Sequence, residues 1–215
     1  MIKLIACDMD GTLVQYESGD FQSSWDAIGK AAGKWPEWQA AVEKYYERAR
    51  KNPAVYEEWL KYNAGLLRGV KVDTVAEKIF PVPYSPGVKE FFSETKGKYR
   101  RGILTSGVDL VAEKIKKENS LEFCLANLLR VNEKGEFTGE ALSAVGLQQK
   151  GERLRMLADM YEVSLLDVCY IGDHENDIPA LEIAGLPVAF NPKREEVRKK
   201  AKVVINDFRE LLKYF

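Results

Sequence analysis

Apolar and polar residues follow two different patterns along this chain of 215 residues. From about residue 84 onward, short apolar runs typical of buried strands alternate with stretches that have the period of amphipathic helices. Residues 127–139 predict a small β-hairpin. Strands that alternate with helices indicate a parallel α/β sheet with helices on both faces. The predicted strands are residues 99–105, 168–172, 186–190 and 203–205, and the predicted helices are about 108–118, 150–161 and 177–184, one that begins near Pro192 and a last one that ends at Tyr214.

Residues 15–82 carry helical signals and no convincing strand. This segment holds all four tryptophans and 11 of the 23 aromatic residues of the chain. A small helical domain needs bulky side chains to build a core, which accounts for most of them, and we expect a few to face a ligand. We therefore predict an α/β core domain of residues 1–14 and 83–215, with an all-helical domain of residues 15–82 inserted into it.

The first predicted strand ends in LIACDMDGT, where two aspartates follow an apolar run and precede a glycine turn. Because residues i and i+2 of a strand share a face, Asp8 and Asp10 can point toward one place just beyond the strand. Two carboxylates there repel each other, and an unpaired buried charge is costly. The pair indicates either a cation between them or one carboxyl that stays protonated and acts as an acid.

Three further motifs end predicted strands or open predicted helices. Each has an ordinary explanation by itself, such as a helix cap or a solvated lysine. Together they supply oxygen ligands for a hard divalent cation, hydroxyl and amide donors for an anion, and a lysine that balances charge. Their residues are Thr105 and Ser106 in ILTSG, Lys150 in QKGERL, and Asp173, Asn176 and Asp177 in YIGDHEND.

Charge and cysteine content argue against several protein classes. The 32 basic and 33 acidic residues give a net charge of -1, which argues against a nucleic-acid partner. We find no long uncharged apolar segment and no signal-peptide pattern, so we expect no membrane partner and a cytoplasmic location. Three widely spaced cysteines predict neither a disulfide framework nor a zinc site. The oligomeric state stays open.

In these motifs the chain resembles the haloacid dehalogenase (HAD) superfamily of phosphotransferases, specifically its phosphoserine phosphatase-like branch. DMDGTL is similar to the first motif of that family, ILTSG to the second, the lysine of QKGERL to the third and GDHEND to the fourth. The likeness covers nearly the whole chain. It implies a Rossmann-like, HAD-type core, and it implies that the helical insertion is the cap domain that selects the substrate.

The resemblance implies a Mg²⁺-dependent phosphatase that acts on a small phosphorylated metabolite. Asp8 would be the nucleophile that forms an aspartyl-phosphate, and Asp10 would protonate the leaving oxygen and then activate water. Mg²⁺ would be held by the Asp8 carboxylate, the Asp10 backbone carbonyl and Asp173.

The resemblance also implies how the phosphate is bound. Thr105 and Ser106 would contact phosphate oxygens, and Lys150 would offset the charge of both the phosphate and the nucleophile. Asn176 would contact the phosphate or orient its loop, and Asp177 would support the metal ion or the lysine from outside.

The predicted cap departs from the family at one position. Glu17 aligns with the acidic residue that binds the amino group of phosphoserine, but the position of the arginine that binds the substrate carboxylate aligns with Asn63. Asparagine cannot form the bidentate contact of a guanidinium, although Arg68 or Lys61 could take its place. The departure disfavours strict phosphoserine specificity, and the tryptophan content suggests a larger or less polar substrate.

Three alternatives remain at this stage. The chain could be a phosphoserine phosphatase proper, a phosphotransferase that passes the phosphoryl group to an alcohol, or a non-enzymatic phosphate-binding module. The first differs from the main hypothesis in its substrate, and the second differs in the acceptor of the phosphoryl group. A non-enzymatic module would be expected to lack Asp8 or Asp10, and the presence of both residues argues against this alternative.

Overall fold

A seven-stranded sheet forms the centre of the computed structural model, which describes residues 1–16 and 23–215. The strand order is β4-β3-β2-β1-β5-β6-β7, and all neighbours are parallel except the antiparallel pair β3 and β4. The predicted α/β sheet is therefore confirmed. The strands are β1 (Leu4–Cys7), β2 (Arg100–Val108), β3 (Phe123–Val131), β4 (Phe137–Leu142), β5 (Val168–Gly172), β6 (Leu186–Phe190) and β7 (Val203–Ile205).

Helices cover both faces of this sheet, as predicted. Successive residues of β1 point to opposite sides, so that Ile5 and Cys7 join one apolar layer and Leu4 and Ala6 join the other. Helices α5 and α6 complete the first layer, and α7, α8 and α9 complete the second. The helices are α1 (Ser24–Ala31), α2 (Trp35–Ala49), α3 (Pro53–Leu66), α4 (Val72–Ile79), α5 (Val88–Thr95), α6 (Asp109–Asn119), α7 (Lys150–Met160), α8 (Ile178–Leu181) and α9 (Glu195–Lys200).

Helices α1 to α4 follow β1 and precede the rest of the sheet. The chain leaves and returns at one place, because Val14 forms an antiparallel bridge with Tyr84 and the Ser85 N–H donates to the Leu13 carbonyl at 2.9 Å. Two apolar clusters hold these helices. The cluster around the fully buried Trp38 also includes Val108, Leu129 and Phe137 of the sheet, and a smaller cluster joins α2 and α3. Among the described residues, none of the helices combines the length and the apolar character that crossing a bilayer requires.

Several predicted boundaries differ from the structure. The hairpin strand β3 begins at Phe123, because it first pairs with β2 before it turns toward β4. The predicted helix 177–184 is a 3₁₀ turn, Glu175–Asp177, followed by the short α8, and the last helix is 3₁₀ over Phe208–Tyr214. Helix α9 begins at Glu195 and not near Pro192, because Arg194 still has extended backbone angles.

Candidate active site

The predicted site residues meet at one edge of the sheet. Strand β1 lies between β2 and β5, so the carboxyl ends of these three parallel strands are adjacent. Asp8 follows β1, and Asp173 follows β5. Thr105 and Ser106 lie inside β2, not after it, in its last part, where the pairing with β3 shifts register. Ligands of parallel α/β sheets bind at this edge.

A tight turn fixes Asp8 at the end of β1. The Asp8 N–H donates to the Ile171 carbonyl at 2.8 Å, which continues the pairing of β1 with β5, and Asp8 is only 4% exposed. Gly11 then turns the chain with a φ of +82°. A Cβ atom at Gly11 would lie 2.3 Å from Asp173 Oδ2, so the turn packs directly against this second carboxylate.

Lys150 lies between two carboxylates. Its Nζ is 2.8 Å from Asp8 Oδ1 and 2.6 Å from Asp177 Oδ1, and the lysine is fully buried. Burial lowers the pKa of Lys150, but the charges of Asp177 and Asp8 raise it more, so that the net pKa is raised. The lysine therefore stays protonated, and its positive charge can offset the charge of a bound anion.

Asp177 accepts four hydrogen bonds. Its Oδ1 accepts from Lys150 at 2.6 Å and from the Tyr170 hydroxyl at 2.7 Å, and its Oδ2 accepts from the N–H groups of Asp173 and His174 at 3.0 Å each. A carboxylate has about four lone-pair sites. These contacts use all of them, so Asp177 orients its neighbours and has no lone pair left for a metal ion.

Three carboxylates form a compact cluster whose charge fits a divalent cation. Oxygen atoms of Asp8, Asp173 and Asp177 all lie within 4.8 Å of one another, and Lys150 compensates one of their three charges. Burial and the charge of Asp177 raise the pKa of Asp8 to about 6, and the same two causes raise the pKa of Asp173 well above its ordinary value. Carboxylate oxygens with uncompensated charge are the donors that Mg²⁺ binds. The residues present therefore fit this ion.

The Asp10 side chain lies outside this cluster. Its two oxygens accept hydrogen bonds from the Ser24 N–H at 2.9 Å and the Ser24 hydroxyl at 2.8 Å. Burial raises the pKa of Asp10 to about 7, although the hydrogen bonds of Ser24 lower it. Although they are only two residues apart in the sequence, Asp8 contacts Lys150 and Asp10 contacts Ser24 of α1.

The last part of β2, which contains Ser106, contacts several parts of the structure. The Asn176 side chain donates to the Ser106 hydroxyl at 3.4 Å, and the Thr105 hydroxyl accepts from the Gly107 N–H at 3.0 Å. The Ser106 carbonyl accepts from three side chains, at 2.8 to 3.2 Å. The donors are Trp25 of α1, Tyr56 of α3 and Asn127 of β3.

One tryptophan of the helical segment therefore reaches the site. Trp38 stacks on Trp25 at a centroid distance of 6.3 Å inside the helices, and Trp59 stacks on Tyr45 at 6.5 Å. These two build the core of the segment. Ser24, Tyr56 and Asn127 could not be identified as site residues from the sequence, because their contacts join positions far apart in the chain. The one signal was the SSW sequence at the start of α1, which is typical of a helix start.

The predicted substrate-binding residues of the cap do not assemble a cationic site in the part of the chain that the structure describes. Asn63 is 4% exposed, and its Oδ1 has no hydrogen-bond partner. Arg68 packs against Gly139 of β4, and Lys61 is exposed. Glu17 lies outside the described residues.

Comparisons with known proteins agree with this geometry. A family model described as haloacid dehalogenase-like hydrolase matches residues 5–182. A phosphoserine phosphatase of Saccharomyces cerevisiae is 34% identical over 95% of this chain and 63% of its own length, and one of Methanocaldococcus jannaschii is 32% identical over 99% of this chain and 97% of its own length. A solved structure of a substrate-bound phosphoserine phosphatase complex is 30% identical and covers 100% of this chain and 99% of its own, with a TM-score of 0.79. By sequence and by fold, the chain belongs to the haloacid dehalogenase-like hydrolase family and, within it, to the phosphatases of the phosphoserine phosphatase-like branch.

Proposed function

We propose that this chain is a Mg²⁺-dependent phosphatase that hydrolyses a small phosphorylated metabolite through an aspartyl-phosphate on Asp8. The observation that carries the proposal is the contrast between two aspartates of one motif. Asp8 is paired with Lys150 at 2.8 Å, which favours the carboxylate that a nucleophile needs. Asp10 has a pKa raised to about 7 by burial, which suits a group that gives up a proton and takes one back near neutral pH.

In the first step, an Asp8 oxygen attacks phosphorus while the bond from phosphorus to the ester oxygen breaks. The leaving oxygen takes the proton of Asp10 and departs as an alcohol. In the second step, Asp10 accepts a proton from water, and the resulting hydroxide attacks the same phosphorus. The bond to Asp8 breaks, inorganic phosphate is released, and Asp8 and Asp10 return to their starting forms.

Mg²⁺ would be held by the carboxylates of Asp8 and Asp173 and by the Asp10 backbone carbonyl. When bound, this ion neutralises negative charge on the phosphate, which allows the anionic nucleophile to approach. The Thr12 hydroxyl donates to Asp173 Oδ1 at 2.9 Å and orients this carboxylate. Asp177, whose lone pairs are occupied, keeps Lys150 in place.

The phosphate itself would be bound by side chains around Ser106, in the last part of β2. Thr105 and Ser106 offer hydroxyl groups, and Asn176 lies beside Ser106 at 3.4 Å. Lys150 offers a positive charge, which offsets the charge that the phosphate brings. The helical segment contacts this part of β2, because Trp25 and Tyr56 donate to the Ser106 carbonyl.

Phosphoserine is the second candidate for the substrate, since the relatives named above are phosphoserine phosphatases. A carboxylate of the substrate needs a cation, and Asn63 offers only an amide where the family places arginine. Removal of such a partner typically weakens binding by a few kcal/mol. We therefore propose a phosphorylated metabolite without an α-carboxylate as the better substrate.

The test is release of inorganic phosphate, with and without Mg²⁺, from O-phospho-L-serine, glycerol 3-phosphate, sugar phosphates and p-nitrophenyl phosphate. Wild-type protein should release phosphate only with Mg²⁺, and acid quenching should trap one phosphoryl group on the protein. Asp8→Asn should lose both the activity and the trapped group. Asp167→Asn is the matched control, because Asp167 directly precedes β5 at the opposite end and pairs with Lys3.

The outcomes separate the alternatives. Strong turnover of phosphoserine alone would identify a phosphoserine phosphatase proper, and faster loss of ester with an added alcohol would identify a phosphotransferase. Absence of Mg²⁺-dependent release from every ester would contradict the enzyme and favour a phosphate-binding module. The cytoplasmic location is likewise a prediction, which cell fractionation tests.

A further inference from the structure

Ser24 contacts both oxygens of the Asp10 carboxylate. This serine is the first residue of α1 and is fully buried. Its backbone N–H donates to Asp10 Oδ1 at 2.9 Å, and its hydroxyl donates to Asp10 Oδ2 at 2.8 Å. One residue of the helical segment therefore fixes the plane of a carboxylate that belongs to the turn after β1.

The direction of these hydrogen bonds is determined by a third contact. The Val108 N–H, at the end of β2, donates to the Ser24 hydroxyl oxygen at 3.3 Å. A backbone N–H can only donate, so the single hydroxyl proton of Ser24 is free to point at Asp10. Each Asp10 oxygen keeps a second lone pair for the proton that it exchanges with a ligand.

The shape of the site also depends on this arrangement. A Cβ atom at Gly107 would lie 2.7 Å from Asp10 Oδ2 and 2.8 Å from the Ser24 hydroxyl oxygen, and 2.6 Å from the end of the Met9 side chain. The small residue in β2 therefore leaves just enough space for the two oxygens to meet. The neighbouring Ser23 behaves differently, because its hydroxyl donates to the Asp26 carboxylate at 2.8 Å and accepts from the Asp26 N–H at 3.2 Å.

We propose that Ser24 is a positioning residue for proton transfer by Asp10. It acts through Asp10: docking of α1 against the end of β2 brings the hydroxyl and the N–H of Ser24 to the two carboxylate oxygens and aligns the proton with the leaving oxygen. The proposal rests on the proposed function, in which Asp10 is the general acid. It extends that function by making the acid dependent on a residue of the helical segment.

The test uses esters that differ in their need for an acid. An alkyl leaving oxygen must be protonated as it departs, whereas p-nitrophenolate departs without a proton, and kcat/KM reports the step in which it departs. Ser24→Ala should lower kcat/KM at least ~10-fold for the alkyl phosphate that wild-type protein turns over best, and less than ~3-fold for p-nitrophenyl phosphate. Gly107→Ala, which pushes on the same two oxygens from β2, should show the same selectivity and covers the case in which the Ser24 variant fails to fold.

Two controls make the result decisive. Ser23→Ala perturbs the start of α1 without touching the Asp10 contacts, so it should lower kcat/KM for both esters by the same small factor. Equal losses for both esters in Ser24→Ala, or selective loss in Ser23→Ala, would overturn the proposal. Asp10→Asn should show the largest difference in kcat/KM loss between the alkyl phosphate and p-nitrophenyl phosphate. If it shows no such difference, the assignment of Asp10 as the acid is wrong. That result is distinct from one in which Asp10→Asn shows the difference and Ser24→Ala does not.

Discussion

Lys150 and Asp177 form an ion pair at 2.6 Å in which both side chains are fully buried. The same ammonium lies 2.8 Å from Asp8, so one cation joins the start of α7 to the end of β1 and to the loop after β5. Buried ions require partners, and here two anions share one cation. The relationship connects the stability of the core with the orientation of the candidate nucleophile.

Lys150→Met tests this connection, because methionine keeps much of the apolar stem and removes the charge. Loss of one partner of a buried pair typically costs about 3–5 kcal/mol, since the remaining charge is left uncompensated. We expect the free energy of unfolding, measured with urea, to fall by about this amount. We expect kcat to fall at least ~100-fold, because a donor to the phosphate is lost.

Lys3→Met is the matched control for Lys150→Met. Lys3 pairs with Asp167 at 2.7 Å, a similar distance, but its side chain is 63% exposed. Exposed ion pairs contribute little to stability, so this variant should unfold and react almost as wild-type protein does. Similar losses in the two lysine variants would contradict the role given to burial.

Gly11→Ala should combine backbone strain with a steric clash against Asp173, and a variant at Gly97 separates the two effects. Gly11 has a φ of +82°, and a Cβ atom there would lie 2.3 Å from Asp173 Oδ2. Gly97 has a similar φ of +73°, but a Cβ atom added at Gly97 would have nothing within 4 Å. Gly97→Ala should therefore show only the backbone cost of about 1–2 kcal/mol and keep its activity.

We expect Gly11→Ala to lose more stability than Gly97→Ala and, in addition, to lose activation by Mg²⁺, because the new methyl group displaces Asp173. The measurement is phosphate release as a function of Mg²⁺ concentration. An unchanged concentration for half-activation in Gly11→Ala would contradict the packing of this turn against the metal site.

The parallel α/β sheet and the position of the site at the carboxyl ends of its strands could be predicted from the sequence, because both depend on local signals. Apolar runs that end in Asp8 and Asp173 identify parallel strands and the edge at which their carboxyl ends meet. The likeness of four motifs to a known family then supplied candidate roles. Residues with strong local patterns, such as Lys150 at the start of α7, lie where the sequence predicts them.

Contacts between distant elements could not be predicted. Ser24 looks like an ordinary helix start, and Tyr170 looks like one more apolar residue of a buried strand. Their hydroxyl groups meet Asp10 and Asp177 only after the sheet and the helical segment have packed together. The start of α9 was misplaced for a local reason: Pro192 is a good first helical residue, but Asn191 has a φ of 39° and Arg194 is extended.

Tyr170→Phe tests the contact between Tyr170 and Asp177. The Tyr170 hydroxyl donates to Asp177 Oδ1 at 2.7 Å in the buried layer between β5 and α7. A hydrogen bond to a charged group contributes about 1.5–3 kcal/mol, and we expect urea unfolding to show a loss of this size. Tyr161→Phe, a partly exposed tyrosine of the same layer, should change stability less. Equal effects would mean that the hydroxyl adds nothing to the orientation of Asp177.

The last prediction concerns competition between protons and Mg²⁺. The pKa of Asp8 is raised from 3.8 to about 6, and that of Asp173 is raised as well. A folded state with raised carboxyl pKa values binds more protons than the unfolded state. The contribution of these groups to the free energy of unfolding is therefore fully present below the unfolded pKa, and it is lost as pH rises through the folded pKa. Metal-free protein should therefore lose stability from these two groups as pH rises from about 4 to about 6 and above.

Mg²⁺ should reverse this loss, because it stabilises the carboxylates that the protons leave. We expect the rise in Tm on addition of Mg²⁺ to be larger at pH ~7.5 than at pH ~5, since protons compete with the ion at the lower pH. Asp173→Asn should remove most of the rise, whereas Asp167→Asn, beyond the other end of β5, should keep it. An equal rise in wild-type protein and Asp173→Asn would locate the ion elsewhere and contradict the proposed metal site.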